Sequence, residues 1–391
     1  FAKKAVIAAA VAVNILLLGF FKYADFLISG INMIFGLAIE PLELSLPVGI
    51  SFYTFQAVSY LVDVQRGNVK VQKNIIDFAM YISMFAQLIA GPIIRLADIE
   101  CSLHRRTLSL SMFADGSKRF TVGLAKKALL ANGAGALWEA VCEVPYAEMS
   151  VLTAWIGIIG FTFQIYFDFS GYSDMAIGLG KMLGFDFPEN FRYPYTSRSV
   201  TEFWRRWHIS LGSWFREYVY IPLGGNRKGK ARTIFNLFVV WSLTAVWHGA
   251  EGHFLIWGAS LLLLLALEKA FLLQFLKKSK ILSHVYLVLV VPLTWMAFAI
   301  ADVGQLGVYY ARMFPFFGVG ETVRQMDFLQ YLKDYGPLFL MGIVFSTPYP
   351  TALYKVFEKK WLGSLAVIVV LGLSLYYMAV STNNPFLYFN F

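Results

Sequence analysis

Charge and cysteine are what this sequence is short of. Only 15% of its 391 residues are charged, against 58% hydrophobic and 17% aromatic, whereas soluble chains carry about 25% charged residues. So little charge cannot cover a water-facing surface, and a polytopic, all-α membrane protein is expected. Two cysteines, Cys101 and Cys142, exclude a disulfide framework and a cysteine-rich metal site. No Pro/Gly/Ser linker or polar block is long enough to divide the chain, so a single membrane-embedded domain over residues 1–391 is expected. Repeats of solenoid period, low-complexity tracts and the ordered parts of a signal peptide are also missing. The turn-rich Pro222 to Gly229 stretch lacks phosphate-loop spacing, and no G-x-S-x-G elbow or Cys/His motif supports a serine or thiol nucleophile.

The charge that is present is mostly basic, with a formal net of +9. It falls in short clusters between apolar runs rather than along one face, which argues for lipid headgroups and against nucleic acid. The clusters are Arg105, Arg106, Lys118, Arg119, Lys126 and Lys127; Arg227, Lys228, Lys230 and Arg232; Lys277, Lys278 and Lys280; and Lys355, Lys359 and Lys360. The positive-inside rule places all four on the cytoplasmic side. Crossing the hydrocarbon takes about 20 apolar residues. The clearest runs are Ala5 to Phe21, Leu44 to Val62, Ile75 to Ile94, Leu152 to Phe169, Ile234 to Trp247, Phe254 to Leu276, Ile281 to Ile300, Tyr335 to Phe345 and Leu362 to Val380. Gly-interrupted pieces at Phe26 to Ile39, Val122 to Val141 and Met175 to Leu183 suit broken or re-entrant backbone. Two runs separate the second and third basic clusters, so the connecting His248 to His253 is expected as a non-cytoplasmic or mid-membrane turn.

Polar residues interrupt the apolar pattern chiefly between Phe161 and His248. His248 closes the run Phe235 to Trp247, and an ionisable group at that depth suggests a functional site. Imidazole titrates near neutral pH and suits a general base, although a buried neutral histidine is also a tolerable structural residue. Asp168, Ser170, Tyr172 and Asp174 interrupt another span. They fit acid/base chemistry, a cation site, or a support in which the carboxylates pair with Arg205 or Arg206 and orient a histidine. Gly171 among them either admits another backbone or marks a break. Between Thr201 and Glu217 a helical wheel places Trp204, Trp207, Leu211 and Trp214 on one stripe and Arg205, His208, Gly212 and Arg216 beside it. Such a helix suits the headgroup plane, with His208 and the arginines facing an anionic ligand. His248, Glu251 and His253 lack the H-E-x-x-H zinc spacing, and no metal is expected.

Taken together, Tyr166 to Gly180, Glu202 to Leu211, Trp247-His-Gly249 and the closing Asn384-Pro-Phe-Leu-Tyr-Phe-Asn-Phe391 resemble the membrane-bound O-acyltransferase (MBOAT) superfamily. Leu46 to Tyr53, Ile89 to Arg95 and Tyr218 to Arg227 extend the match over most of the chain, and the pattern looks most like the bacterial alginate O-acetyltransferase branch, with its peptidoglycan and cellulose relatives. Ala86-Gln87 departs from the proline that relatives often carry there. The resemblance implies a multi-helix bundle with re-entrant and interfacial helices around a tunnel, in the bacterial cytoplasmic (inner) membrane, with further apolar segments ahead of Phe1. It implies an acetyl group moved from acetyl-CoA, a substrate rather than a bound cofactor, to hydroxyls of an exported polysaccharide or cell-wall polymer. Transfer would be direct or through an extracytoplasmic acetyltransferase partner. His248 would be the catalytic histidine and His208 the second family histidine, nearer the cytoplasm. Arg205, Arg206, Asp168, Ser170, Tyr172, Asp174 and Trp247 would bind the donor or support the site. D-alanylation of teichoic acid by the same fold, a transporter using the intramembrane Asp and His residues, and a scaffold that passes acetyl groups onward are the other readings.

Overall fold

The computed structural model describes residues 2–89, 91–314, 316, 326–381, 386 and 387. Ala90 and most of the closing Asn384 to Phe391 motif therefore lie outside the described residues. In chain order the helices are α1 (Ala2–Phe35), α2 (Ile50–Arg66), α3 (Ile75–Ser83), α4 (Leu96–His104), α5 (Leu110–Ala125), α6 (Asn132–Cys142), α7 (Val151–Met182), α8 (Val200–Arg206) and α9 (Ile209–Phe215). There follow α10 (Gly229–His248), α11 (Gly252–Leu267), α12 (Leu273–Leu276), α13 (Lys280–Ala299), α14 (Val303–Met313), α15 (Asp327–Phe345), α16 (Tyr349–Phe357) and α17 (Trp361–Val380). Wide π-helical turns join α5 to α6 at Lys126–Ala131, follow α9 at Arg216–Tyr220, and join α11 to α12 at Glu268–Leu272. No strand occurs among the described residues.

Among the described residues, five helical stretches are long and apolar enough to cross a membrane: Lys4–Phe35, Val151–Met182, Gly252–Leu276, Lys280–Ala299 and Trp361–Val380. Several expected boundaries are therefore corrected. Ala5 to Phe21 and most of Phe26 to Ile39 fuse into α1, and Leu152 to Phe169 continues through Met175 to Leu183 as α7. Ile75 to Ile94 does not span, because α3 ends after nine residues and the chain leaves it through Met84, which has an extended ψ of 112°. Leu44 to Val62 becomes helical only from Ile50.

The chain packs as two compact units, interleaved along the sequence. The first holds residues 1–117, 176–189 and 210–236. Its core joins Tyr81, Ile94, Leu96, Ile99, Ile177, Phe185 and Phe187. The Trp214 indole donates to the Phe55 carbonyl at 3.0 Å, and the Arg95 guanidinium lies between Asp98 and Glu217.

The second unit holds residues 118–175, 190–209 and 237–391, and with them every candidate site residue. Its centre is α7, whose most apolar window is 72% buried, while that of α17 is only 11% buried and faces outward. Gly171 admits another backbone and does not break the helix. A Cβ there would lie 2.8 Å from the Gly123 carbonyl oxygen, and one on Gly123 would lie 2.5 Å from the Gly171 carbonyl oxygen. Close helix approach in lipid depends on such small residues. Gly171→Ala is expected to destabilise the protein by roughly 1–3 kcal/mol through overpacking. Gly19→Ala, with nothing within 4 Å of the new methyl, is expected to be neutral or mildly stabilising. Thermal unfolding of both variants in detergent checks this, and equal melting temperatures would contradict the glycine contact.

Candidate active site

His248 is the last residue of α10, and its half-buried ring is set among aromatic side chains. Trp247 lies 4.6 Å away centroid to centroid, Phe298 meets the ring edge-on at 5.0 Å, Trp257 meets it edge-on at 5.1 Å, and Phe254 stacks at 6.0 Å. These partners come from α11 and α13 as well as α10. Trp257, Phe254 and Phe298 are almost wholly buried, so the imidazole stands at the edge of an apolar, aromatic enclosure. Gly249 follows it for a steric reason: a Cβ there would come within 2.5 Å of the Phe254 ring and would also strike the Glu251 carboxylate.

The enclosure continues toward α8. Trp295 touches Phe298 at 5.7 Å and Trp207 at 4.9 Å, and Trp204 touches Trp257 at 5.8 Å. Trp204 and Trp207 thus pack inside the unit and not on a lipid surface. The expected continuous helix over Thr201 to Glu217 is broken, which corrects the two-stripe reading. Trp207 is extended (φ −103°, ψ 129°) and His208 has φ 44°, in the left-handed region that a non-glycine residue rarely occupies. Backbone pairing holds the break: Arg192 N–H donates to the Arg206 carbonyl and Ile209 N–H to the Asn190 carbonyl, both at 2.9 Å.

At this turn His208 is 4% exposed and does not face solvent beside the arginines. Its Nδ1 lies 3.1 Å from Asn190 Oδ1, while Asn190 Nδ2 donates to Ser173 Oγ at 3.0 Å. With Oδ1 turned to the ring, the contact is a hydrogen bond in the tautomer that carries its proton on Nδ1. Phe169 meets the ring edge-on at 4.7 Å. Burial pushes the His208 pKa down to about 3, which keeps the ring neutral and unsuited to serve as a cation for phosphate. Arg205 is exposed, whereas Arg206 is bound to Glu202 at 2.5 Å and to Thr196 at 2.9 Å.

Asp168 and Asp174 pair with other cations than Arg205 or Arg206. Lys127 Nζ lies 2.6 Å from Asp168 Oδ1, with both side chains buried, and Asp168 Oδ2 accepts from the Leu387 backbone N–H at 2.8 Å. Asp174 receives Lys126 and Arg119, each at 2.6 Å. Three members of the first basic cluster thus serve the interior, so that cluster is not simply a headgroup contact. Tyr172 meets Phe386 edge-on at 5.1 Å, and Ser170 is fully buried with no hydrogen-bond partner for Oγ among the described residues. The four residues share α7, but the contacts named here are with α5, the π-turn and the 386–387 segment, and none of these contacts is with His248; α7 reaches the His208 turn through Phe169 and Ser173 instead.

Two residues without an assigned role in the sequence hold the site together. Asn190 fixes His208, and only its place in the polar Pro188 to Tyr195 stretch hinted at it. Glu268, 1% exposed, accepts from Val200 N–H at 2.6 Å, Thr201 N–H at 2.8 Å and Thr201 Oγ1 at 2.6 Å, and so anchors the first turn of α8. Its signal was a lone carboxylate late in the apolar run Phe254 to Leu276. No group of three His, Cys, Asp or Glu side chains that could hold a metal occurs among the described residues.

Comparison with known proteins gives the family. The family model for membrane-bound O-acyltransferases matches residues 66–301. A probable alginate O-acetylase of Pseudomonas syringae pv. tomato is 44% identical over 78% of this chain and 60% of its own length. A peptidoglycan O-acetyltransferase of Helicobacter pylori is 30% identical over 97% of this chain and 81% of its own. A teichoic acid D-alanyltransferase of Bacillus subtilis is 26% identical over 54% of this chain. The chain spans between 57% and 64% of the length of the alginate relatives it matches. With the family model covering more than half of the sequence, its helices long enough to span and its histidine enclosed at the end of α10, the chain belongs to the membrane-bound O-acyltransferase family.

Proposed function

We propose that this protein transfers an acetyl group from acetyl-CoA to a hydroxyl of an exported polysaccharide or cell-wall polymer, directly or through an extracytoplasmic partner, in the bacterial cytoplasmic membrane. The observation that carries this reading is the His248 imidazole, half-buried among four aromatic rings at the end of α10. Neutral imidazole there takes the hydroxyl proton as the oxygen attacks the thioester carbonyl carbon. The tetrahedral intermediate then collapses, the C–S bond breaks, and His248 returns the proton to the departing thiolate. No covalent enzyme intermediate is needed. The tryptophan-lined enclosure keeps water from competing with the acceptor for the thioester.

The other candidates fall into supporting roles. Arg205, exposed beside the enclosure, is suited to a phosphate of the donor. His208 is a positioning residue: neutral and held by Asn190, it fixes the turn from which Trp204 and Trp207 enter the aromatic packing. Asp168 and Asp174 hold the π-turn against α7. Their direct ion pairs with Lys127, Lys126 and Arg119 also weigh against the transporter reading, because carboxylates neutralised at 2.6 Å are poor carriers of an ion or proton.

His248→Ala is expected to lower acetyl transfer from radiolabelled acetyl-CoA by about 10²–10⁴-fold, the usual worth of a general base, with insertion and thermal unfolding little changed. Near-normal transfer by that variant sinks the proposal. For His208 the folded pKa lies below that of the unfolded chain, so the unfolded state binds the extra proton between the two values. Stability is therefore complete above about pH 6.5 and falls as the pH drops toward 3. The slope from this group reaches about 1.4 kcal/mol per pH unit. In His208→Asn the loss of melting temperature between neutral and acidic pH is expected to be shallower than in the wild type; parallel curves would show that His208 is not buried neutral.

A further inference from the structure

The turn between α10 and α11 carries polar groups that the transfer chemistry above leaves unused. Glu251 is the N-cap residue of α11, with φ −68° and ψ 151°, yet its side chain makes no capping bond. Its carboxylate instead folds back over Gly249, the residue that follows His248, where a Cβ would strike Glu251 Oε2. His253, one turn into the pair, is 5% exposed, and its buried Nδ1 has no hydrogen-bond partner among the described residues. The His253 ring packs on Phe254 at 4.0 Å, and Phe254 stacks in turn on His248 at 6.0 Å. The next turn is near, since a Cβ on Gly252 would lie 3.5 Å from Val303 Cγ2, and it brings Asp302. Glu251 and Asp302 are both acids, and neither the turn from His248 to His253 nor the segment from Ile300 to Val303 contains Lys or Arg.

We propose that Glu251 and His253 bind the acceptor beside His248 and select an uncharged polyol over a uronate. This rests on the acetyl-transfer reading and names the acceptor class for the same site. The runs flanking the turn begin at the Arg227 to Arg232 cluster and end at the Lys277 to Lys280 cluster. By the positive-inside rule that pattern favours the side opposite the cytoplasm for the turn, where an exported acceptor arrives; α10 is not one of the five spanning stretches, but its 20 residues are long enough to reach across. A carboxylate accepts hydrogen bonds from two neighbouring hydroxyls of one sugar ring, and His253 Nδ1 offers a further bond to the same ring. Phe254 supplies an apolar face between the two histidines. One hydroxyl so held has its proton within reach of His248. A uronate instead presents a second carboxylate to Glu251 in a weakly screened place, and like charges there oppose binding.

The test uses the purified full chain in detergent with acetyl-CoA and two acceptors, a short mannose oligomer and the mannuronate oligomer of the same length and linkage. Release of free thiol and acetylation of the oligomer are followed separately. The wild type is expected to prefer mannose. Glu251→Gln and His253→Phe are expected to raise the KM for the mannose oligomer about tenfold, with the KM for acetyl-CoA unmoved, since a site built to bind hydroxyls loses affinity when its partners are removed. Glu251→Lys is expected to shift the ratio of the two acceptors toward mannuronate by about tenfold or more. A wild type that prefers mannuronate, or a ratio that Glu251→Lys leaves alone, overturns the assignment. So does thiol release with neither oligomer acetylated, which leaves thioester chemistry standing. Absence of any thiol release overturns direct transfer from acetyl-CoA, and with it the assignment that rests on it.

Discussion

Hydrocarbon gives a charge nowhere to go, and in the second unit the buried ionisable groups meet that constraint one by one. Asp168 is neutralised by Lys127, Asp174 by Lys126 and Arg119, and Glu268 by the N–H groups at the start of α8. Arg312 spends its guanidinium on the carbonyls of Tyr146 and Ala147. His208 avoids charge altogether. Each answer also fixes one element to another. Consecutive residues on a helix diverge by about 100°, and Lys126 and Lys127 use that divergence to reach carboxylates six positions apart on α7. The π-turn is thereby pinned at two heights on one helix.

Once those groups are committed, what remains for chemistry stands out. His248 is half-buried, and the rings packed around it are those of tryptophan and phenylalanine. The ring contacts come from α10, α11 and α13, so three helices meet at this one imidazole. The aromatic lining also couples the site to α8 without hydrogen bonds, through Trp257 and Trp204 on one side and Phe298, Trp295 and Trp207 on the other. Packing of this kind is stiff and sensitive to volume. The position of α8, set by Glu268 and Asn190, therefore bears on the shape of the enclosure around His248.

The membrane class, the helical fold and the polar stretch that contains the site were legible because they rest on composition and on short motifs. Span boundaries were less so. Hydropathy saw a gap between Phe169 and Met175 where the polar residues of α7 have found partners, and the helix runs on. It saw one run from Ile75 to Ile94 where the chain turns after Ser83. The partners of Asp168 and Asp174 were not legible at all, since Arg119, Lys126 and Lys127 are more than 40 positions away and read locally as a headgroup cluster. Glu268 is the instructive miss: a single acid late in an apolar run looks like an accident until the helix start that it caps, almost 70 residues earlier, is placed against it.

The break at His208 shows why a helical wheel could not assign the second histidine. On a continuous helix His208 stands on the polar stripe with Arg205, Gly212 and Arg216, beside the tryptophan stripe. Propensity favours that outcome, because nothing between Thr201 and Glu217 other than Gly212 disfavours helix. What overrides it is a tertiary contact. Residues 190–192 run alongside 206–209 and take two backbone hydrogen bonds that a helix would use internally, and the left-handed φ at His208 is the local cost of that exchange. The exchange parts two groups that the wheel had set on neighbouring stripes of one helix. Trp204 and Trp207 stay with Trp257 and Trp295, while the imidazole swings to Asn190 and Phe169. On the proposed reading, the second histidine therefore acts on the backbone that shapes the enclosure, and the proton chemistry is left to His248 alone.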